Sequence, residues 1–201
     1  TLKVRLRDPD PQLAYELFRA EGPLAVLPLG DRTFQIVWSA PLARCQERAS
    51  LPGPRLLDRL AGVLPAGLEV EALLDQPCAV PLQLSLAPRL HQGHRLLVGE
   101  AGHRCHPVGG QGLNLCWRDV ATLLDLVEGH ASAAVPPSRI ARRYGRRRLP
   151  DLILVGLATD ALVRLFSNRQ PLLLGVRRIA LALLQRSPCL RRLALAAMTY
   201  G

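Results

Sequence analysis

Three glycines fall within four positions, Gly109, Gly110 and Gly112, directly ahead of a segment patterned as a helix, in the stretch "LLVGEAGHRCHPVGGQGLNLCWRDV" at residues 96–120. The apolar run Leu96–Val98 ends at Gly99 and suits a short buried strand. Beyond the glycines, Leu113, Cys116, Val120, Leu123, Leu124 and Val127 recur at three- and four-residue spacing, which predicts one face of an amphipathic helix ending near Gly129. The unit is therefore strand, loop, helix. So much missing side chain is costly in backbone entropy unless something approaches the backbone closely.

A helix that starts near Leu113 points its unpaired N–H groups and the positive end of its dipole into the loop, so a group carrying or developing negative charge is favoured there. A phosphate satisfies that, and so does the pyrimidine end of a reduced flavin. No Lys, Ser or Thr follows the glycines as a P-loop requires, and the GxGxxG spacing is absent. A tight turn that brings a helix close to a strand is the plainer alternative. Metal is disfavoured: His103, Cys105 and His106 lie within four residues, with His94 and Cys116 nearby, but adjacent residues 105 and 106 do not converge on one tetrahedral ion. A Cys–His nucleophile has no support in the spacing either.

Upstream, "AYELFRA", "PLAVLPL" and "TFQIVWS" are short and apolar or alternating, separated by Gly22-Pro23 and Gly30-Asp31, and predict consecutive antiparallel strands, although "AYELFR" suits the start of a helix equally well. The second and third, at 23–29 and 33–39, form a hairpin across "GDR". From Pro41 to Leu64 two helical pieces are split by "SLPGP", and "GLEVEALLDQPCAVPLQLSLA" returns to strand-like alternation. The order implies an α+β layer. After the linker "ASAAVPPS" the chain is helical, with breaks expected at Pro150, Pro171 and Pro188. The apolar run 152–166 is interrupted by Asp160 and Arg164, so no transmembrane helix is expected.

The formal charge of +10 is uneven. Residues 131–201 carry 13 Arg against Asp151 and Asp160 alone, whereas the rest is nearly balanced. Such a tail is either a solvated face of an Arg-biased chain or a surface for anionic lipid; nucleic acid is disfavoured. Five cysteines without a CxxC pair fit neither a disulfide framework nor a zinc ribbon, and no basic-then-apolar leader precedes "TLKVRLRDPD". A reducing, cytoplasmic setting is expected, with possible attachment to a membrane surface through the basic helices.

"LLVGEAGHRCHPVGGQGLNLCWRDVATL" resembles the second flavin motif of the aromatic-ring flavoprotein monooxygenases, and within them the ubiquinone-biosynthesis hydroxylases of the 2-polyprenylphenol hydroxylase family. "AYELFRAEGPLAVLPLGDRTFQIVWS", "VPLQLSLAPRL", "RRRLPDLILVGLATDALVRLFSN" and the closing "LALAAMTYG" fall in that family's order. The resemblance implies the C-terminal half of a protein with the FAD/NAD(P)-binding, para-hydroxybenzoate-hydroxylase-like fold, lacking its N-terminal βαβ unit. It also implies three parts: a substrate-domain sheet with helices at 1–93, a second FAD-binding segment at 94–130, and a basic helical region at 131–201.

By the same resemblance, Gly99 and Glu100 match a Gly-Asp pair whose carboxylate accepts hydrogen bonds from the ribityl hydroxyls of FAD. Pro107, Gly110, Gln111 and Gly112 match the loop beside the isoalloxazine ring. Leu113 and Asn114 match positions whose backbone N–H groups face the flavin N1 and C2 carbonyl. The substrate, an aromatic or quinone-type small molecule, would lie against a sheet formed partly by residues 12–39 and 77–86. NAD(P)H and O2 are the implied co-reactants, and the chemistry is the flavin's, so no catalytic side chain is expected. The chain departs from the family pattern at Glu100, one methylene longer than Asp, at Gly102 and Gly109, where alanine is usual and the loop is expected to loosen, and at Cys116 and Trp117. A non-catalytic homologue serving as a binding or membrane-surface assembly module is the alternative that these departures motivate.

Overall fold

The computed structural model describes residues 1–129, 135–167 and 170–192. They form two compact units, one of Thr1–Pro81 with Val163–Gln170, the other of Leu82–Leu162 with the described residues from Pro171 onward.

In the first unit β1 (Leu2–Arg7) lies outside the expected elements. It alternates Leu2, Val4 and Leu6 inward with Lys3, Arg5 and Arg7 outward, the period-two pattern of a strand with one covered face. It is followed by β2 (Tyr15–Arg19), β3 (Gly22–Gly30), β4 (Thr33–Trp38), α1 (Leu42–Ala49), α2 (Gly53–Ala61) and β5 (Glu69–Leu73). The antiparallel sheet runs β2-β3-β4-β1-β5. β1 thus sits inside it, with Val4 opposite Phe34 on one side and Leu73 on the other. Leu24, Val26, Phe34, Ile36 and Trp38 join the β1 leucines and valine on one face, against Leu56 and Leu60 of α2.

The β3–β4 hairpin forms at the expected place. Asp31 and Arg32 both adopt left-handed backbone, with φ of 47° and 58°, which matches the strand twist as a two-residue turn requires. At the other end of β3, Gly22 has φ of 143°, and a Cβ there would lie 2.5 Å from the Ser39 carbonyl oxygen. Gly22→Ala is accordingly expected to cost about 2 kcal/mol or more in urea unfolding, through backbone strain and the clash together. Beside this turn Arg48 grips Glu21 with two 2.7 Å contacts and lies 3.8 Å over the Trp38 ring.

The strand-like alternation expected over residues 67–87 is realised only in part. β5 stops at Leu73, and strand resumes only at β6 (Ser85–Leu86). Pro77 and Pro81 lack the N–H a ladder needs, although Leu74 and Cys78 still donate to the Lys3 and Thr1 carbonyls. Residues 77–84 are therefore not part of the main sheet expected to include them.

The second unit continues with β7 (His91–Gln92), β8 (Arg95–Leu96), β9 (His103–Arg104), α3 (Gln111–Glu128), α4 (Pro137–Phe166) and α5 (Pro171–Arg186). Its core is Leu90, Leu115, Leu126, Tyr144 and Leu152. The buried strand expected at Leu96–Val98 is reduced to β8, which pairs only with β7, while Val98 stays extended at φ −120° and ψ 140°.

Two helical expectations are corrected. α3 buries Gln111, Leu115, Asp119 and Leu126, whereas Leu113, Val120, Leu124 and Val127 of the expected apolar face are exposed. The helix turns this way because Asp119 reaches buried cationic and N–H partners while Leu115 and Leu126 enter the core. α4 does not break at Pro150 but runs through it. Residues on either side of the proline anchor the helix, Arg148 donating to both Asp119 and Asp151 at 2.6 Å, which offsets the hydrogen bond that Pro150 cannot make. Pro171 opens α5 and Pro188 follows its end, as expected. Residues 131–134 of the expected linker and the closing "LALAAMTYG" lie outside the described residues.

Candidate functional site

The glycine loop enters one turn of 3-10 helix, Val108–Gly110, and passes directly into α3 at Gln111, two residues earlier than expected. Gly109 and Gly110 are both left-handed, at φ 71° and 63°, a conformation that L side chains avoid. Gly109 therefore does not loosen the loop, as an exchange with alanine alone would suggest, but makes its turn. Gly102 is likewise not slack: a Cβ there would stand 3.0 Å from Leu90 Cδ2 and 3.3 Å from Leu97 Cβ.

Gly110 is the N-cap of α3, and no side chain caps the helix. The helix therefore starts without the side-chain acceptor that usually covers its first N–H groups, which face the loop. A Cβ on Gly110 would meet nothing within 4 Å, so the space over the cap is open. Pro107 precedes the turn at φ −66°, and its carbonyl accepts from the Gly110 N–H at 3.0 Å. The Gln111 side chain folds back to donate to the Gly109 carbonyl at 3.1 Å, and Val108 N–H donates to His106 Nδ1. Gly112 and Asn114 are half-buried, and Leu113 is exposed.

Gly99 and Glu100 lie in a second 3-10 turn, Gly99–Ala101, beside α3. Gly99 has φ of 63°, and a Cβ on it would lie 3.4 Å from Cys116 Sγ. Its N–H donates to Asp119 Oδ2 at 2.8 Å, which ties the turn to the middle of α3. Glu100 turns its carboxylate outward, with 72% of the side chain exposed and only a loose 3.6 Å approach to Arg104. The predicted residues thus divide into an open helix start and a neighbouring turn that presents an exposed carboxylate.

What holds the turn is a set of residues to which the sequence reading gave no role. Asp119, wholly buried, also accepts from His103 Nε2 at 2.9 Å and from Arg148 Nε at 2.6 Å. An ionised carboxylate only accepts, so His103 carries its proton on Nε2. Burial alone would raise the Asp119 pKa, but the hydrogen bonds from His103, Arg148 and Gly99 outweigh it and bring the pKa down to about 2. Arg148 in turn donates to Asp151, which also pairs with Arg118 at 3.2 Å. Tyr144 donates to the Leu97 carbonyl at 3.2 Å, fixing the approach to the turn from the α4 side.

His103 is therefore held by a carboxylate, and among the described residues no three His, Cys, Asp or Glu groups cluster as metal ligands. Burial pushes the Cys105 thiol up, and burial with the nearby Asp119 and Glu100 charges does the same for Cys116, so neither is a ready thiolate. The only sequence trace of the Asp119 network is the Arg118-Asp119 pair at the end of the quoted motif; its partner Arg148 lies 29 residues on.

A family model described as "FAD binding domain" matches residues 2–149. An uncharacterized protein of Synechocystis sp. is 36% identical over 199 residues, covering 98% of this chain and 48% of that protein. The 3-demethoxyubiquinol 3-hydroxylase of Escherichia coli is 33% identical over 186 residues, covering 90% of this chain and 46% of that enzyme. The chain spans about half the length of the curated relatives it matches. The crystal structure of p-nitrophenol 4-monooxygenase from Pseudomonas putida superposes with a TM-score of 0.69 at 16% identity, covering 92% of this chain and 48% of that one. That likeness bears out the α+β, para-hydroxybenzoate-hydroxylase-like fold. Fold, glycine loop and the match over residues 2–149 together place the chain in the FAD binding domain family.

Proposed function

We propose that this chain forms the flavin-ring and substrate-side part of an FAD-dependent monooxygenase, one that hydroxylates an aromatic or polyprenylated quinone precursor with NAD(P)H and O2. The observation that carries this reading is the start of α3, without a side-chain cap, behind two left-handed glycines, with the exposed carboxylate of Glu100 on the adjoining turn. These residues fit a flavin. Glu100 would accept from ribityl hydroxyls, with Gly99 giving the chain room to turn. Pro107, Gly110, Gln111 and Gly112 would border the ring, and the Leu113 and Asn114 N–H groups would stabilise negative charge on its pyrimidine end. Asp119 keeps the turn in register with the helix.

The bound flavin supplies the oxygen-transfer chemistry. The chain's own contribution is to bind, orient and keep a dry apolar surface for the substrate. Toward the β2–β3 edge, the sheet face opposite the first unit's core carries Phe18, which meets the Phe166 ring at 5.1 Å, with Ala25, Leu27 and Val37, an apolar patch against which a flat ring would lie, in keeping with the hydroxylase named among the relatives. This chain alone is not expected to hold FAD tightly or to be active, but protein in which it is joined to an N-terminal βαβ half is expected to show flavin absorbance, or to gain it with added FAD, and to oxidise NAD(P)H faster with a phenolic substrate. Joined protein that neither carries nor takes up FAD overturns the reading.

The basic helices support peripheral membrane contact and a cytoplasmic, reducing location, in line with five free cysteines. α5 exposes Leu174, Val176, Ile179 and Leu183 alongside Arg178 and contains no acidic residue, while no helix among the described residues is long and apolar enough to cross a membrane. Arg148 does not belong to this basic surface, being buried on Asp119. Ile179→Glu is expected to abolish flotation with anionic liposomes; unchanged flotation would remove α5 from the contact.

A further inference from the structure

The second unit holds a cavity of about 360 Å³ between the segment leading into β7 and the N-terminal half of α4. Its polar wall is wholly basic: Arg89 and His91 from one side, Arg142 and Arg146 from the other, with Leu90 and Leu149 as apolar floor and no acidic residue in the lining. The His91 ring rests on α4 at Gly145, where a Cβ would be 3.5 Å from Cδ2.

None of the three arginines has an ion pair among the described residues. That sets them apart from Arg118 and Arg148 of the same unit, which are spent on Asp119 and Asp151. Arg142 and Arg146 are four residues apart on one helix, where like charges repel unless an anion lies between them. His91, in the same lining, also has a buried ring nitrogen, Nδ1, with no hydrogen-bond partner among the described residues.

Three arginines line one concave space, and together their guanidinium groups carry more donors than the two oxygens of a carboxylate can accept. A phosphoryl group presents three oxygens and up to two negative charges, and planar forks match it. We propose that this cavity is a phosphoryl-binding site, filled by a phosphate ester or diphosphate from solution or by the headgroup of an anionic lipid. It is separate from the glycine loop and does not rest on the flavin reading.

The test compares two double variants on α4 of the purified protein, Arg142→Ala with Arg146→Ala in the cavity wall and Arg139→Ala with Arg147→Ala outside it. All four positions are exposed, and alanine favours the helix, so both variants should fold. Inorganic pyrophosphate is titrated calorimetrically, and vesicles of phosphatidylcholine with roughly one-fifth phosphatidic acid are used in flotation. The expected result is saturable one-to-one binding of at least one probe, weakened about tenfold or more by the cavity pair and less than about twofold by the control pair. Pair-dependent binding of pyrophosphate alone assigns a soluble ligand, and of vesicles alone a headgroup. Equal weakening by both pairs, or no saturable binding of either probe, overturns the proposal.

Discussion

Replacement of Asp119 by alanine is expected to destabilise the second unit by about 3–5 kcal/mol, because it strands the buried guanidinium of Arg148 and leaves the Gly99 N–H and His103 without an acceptor. Urea unfolding followed by circular dichroism measures the loss. Arg148 keeps Asp151 in the variant, so a loss below about 1 kcal/mol would mean that this second pair suffices and that Asp119 is not the keystone. The same carboxylate sets an acid limit. Its folded pKa of about 2 lies below the usual 3.8, so its contribution is complete above about pH 4 and fades as the pH falls through 2. The displacement is worth about 2 kcal/mol, and wild-type protein should lose that much on acidification while an Asp119→Asn variant shows no such step.

The opposite behaviour is expected at Glu100. Its side chain is mostly exposed and its contact with Arg104 is loose, so Glu100→Ala should leave unfolding unchanged within about 0.5 kcal/mol. Its effect should fall on the cofactor. Losing charge-assisted hydrogen bonds to the ribityl chain predicts an FAD dissociation constant raised roughly tenfold to a hundredfold, read by flavin fluorescence on reconstitution. Glu100→Asp distinguishes contact from charge: it shortens the side chain to the length usual in the resembled family, so affinity equal to or above wild type would show that the longer side chain reaches no better. An Ala variant with unchanged FAD affinity would remove Glu100 from the site.

The two substitutions separate holding a site from being the site, and they differ in how legible they were. Glu100 stands in a contiguous motif, and contiguity is what a sequence shows. Asp119 stands in the same motif, yet nothing local distinguishes it from a solvated helix carboxylate. Only the approach of α4, which brings Arg148 to 2.6 Å, turns it into a buried anchor. His103 follows the same rule, since its partner is 16 residues away and on the far side of the glycine loop.

Local sterics settled much of the rest. Period-two alternation and left-handed turn residues placed β3 and β4, because strand pairing across a two-residue turn depends on neighbours in sequence, whereas the β2 stretch, equally suited to a helix start, is settled as strand by its pairing with β3. β1 carries the same alternation but no flanking turn to frame it, and its position inside the sheet follows from distant pairing with β4 and β5. At Gly109 and Gly102 the sequence implied looseness, while the structure has one as an obligatory left-handed turn and the other packed under Leu90 and Leu97.

By itself, then, the sequence determined the α+β order, the hairpin, the glycine loop ahead of a helix and the residues by which this loop resembles a flavin motif. All of these are written in spacings of a few residues. Tertiary structure alone decided which face of α3 is buried, that α4 continues through Pro150, and that Arg148 leaves the basic surface for the interior. Each of those depends on the free energy of burying a charge against a partner some 29 residues away, which no local pattern encodes.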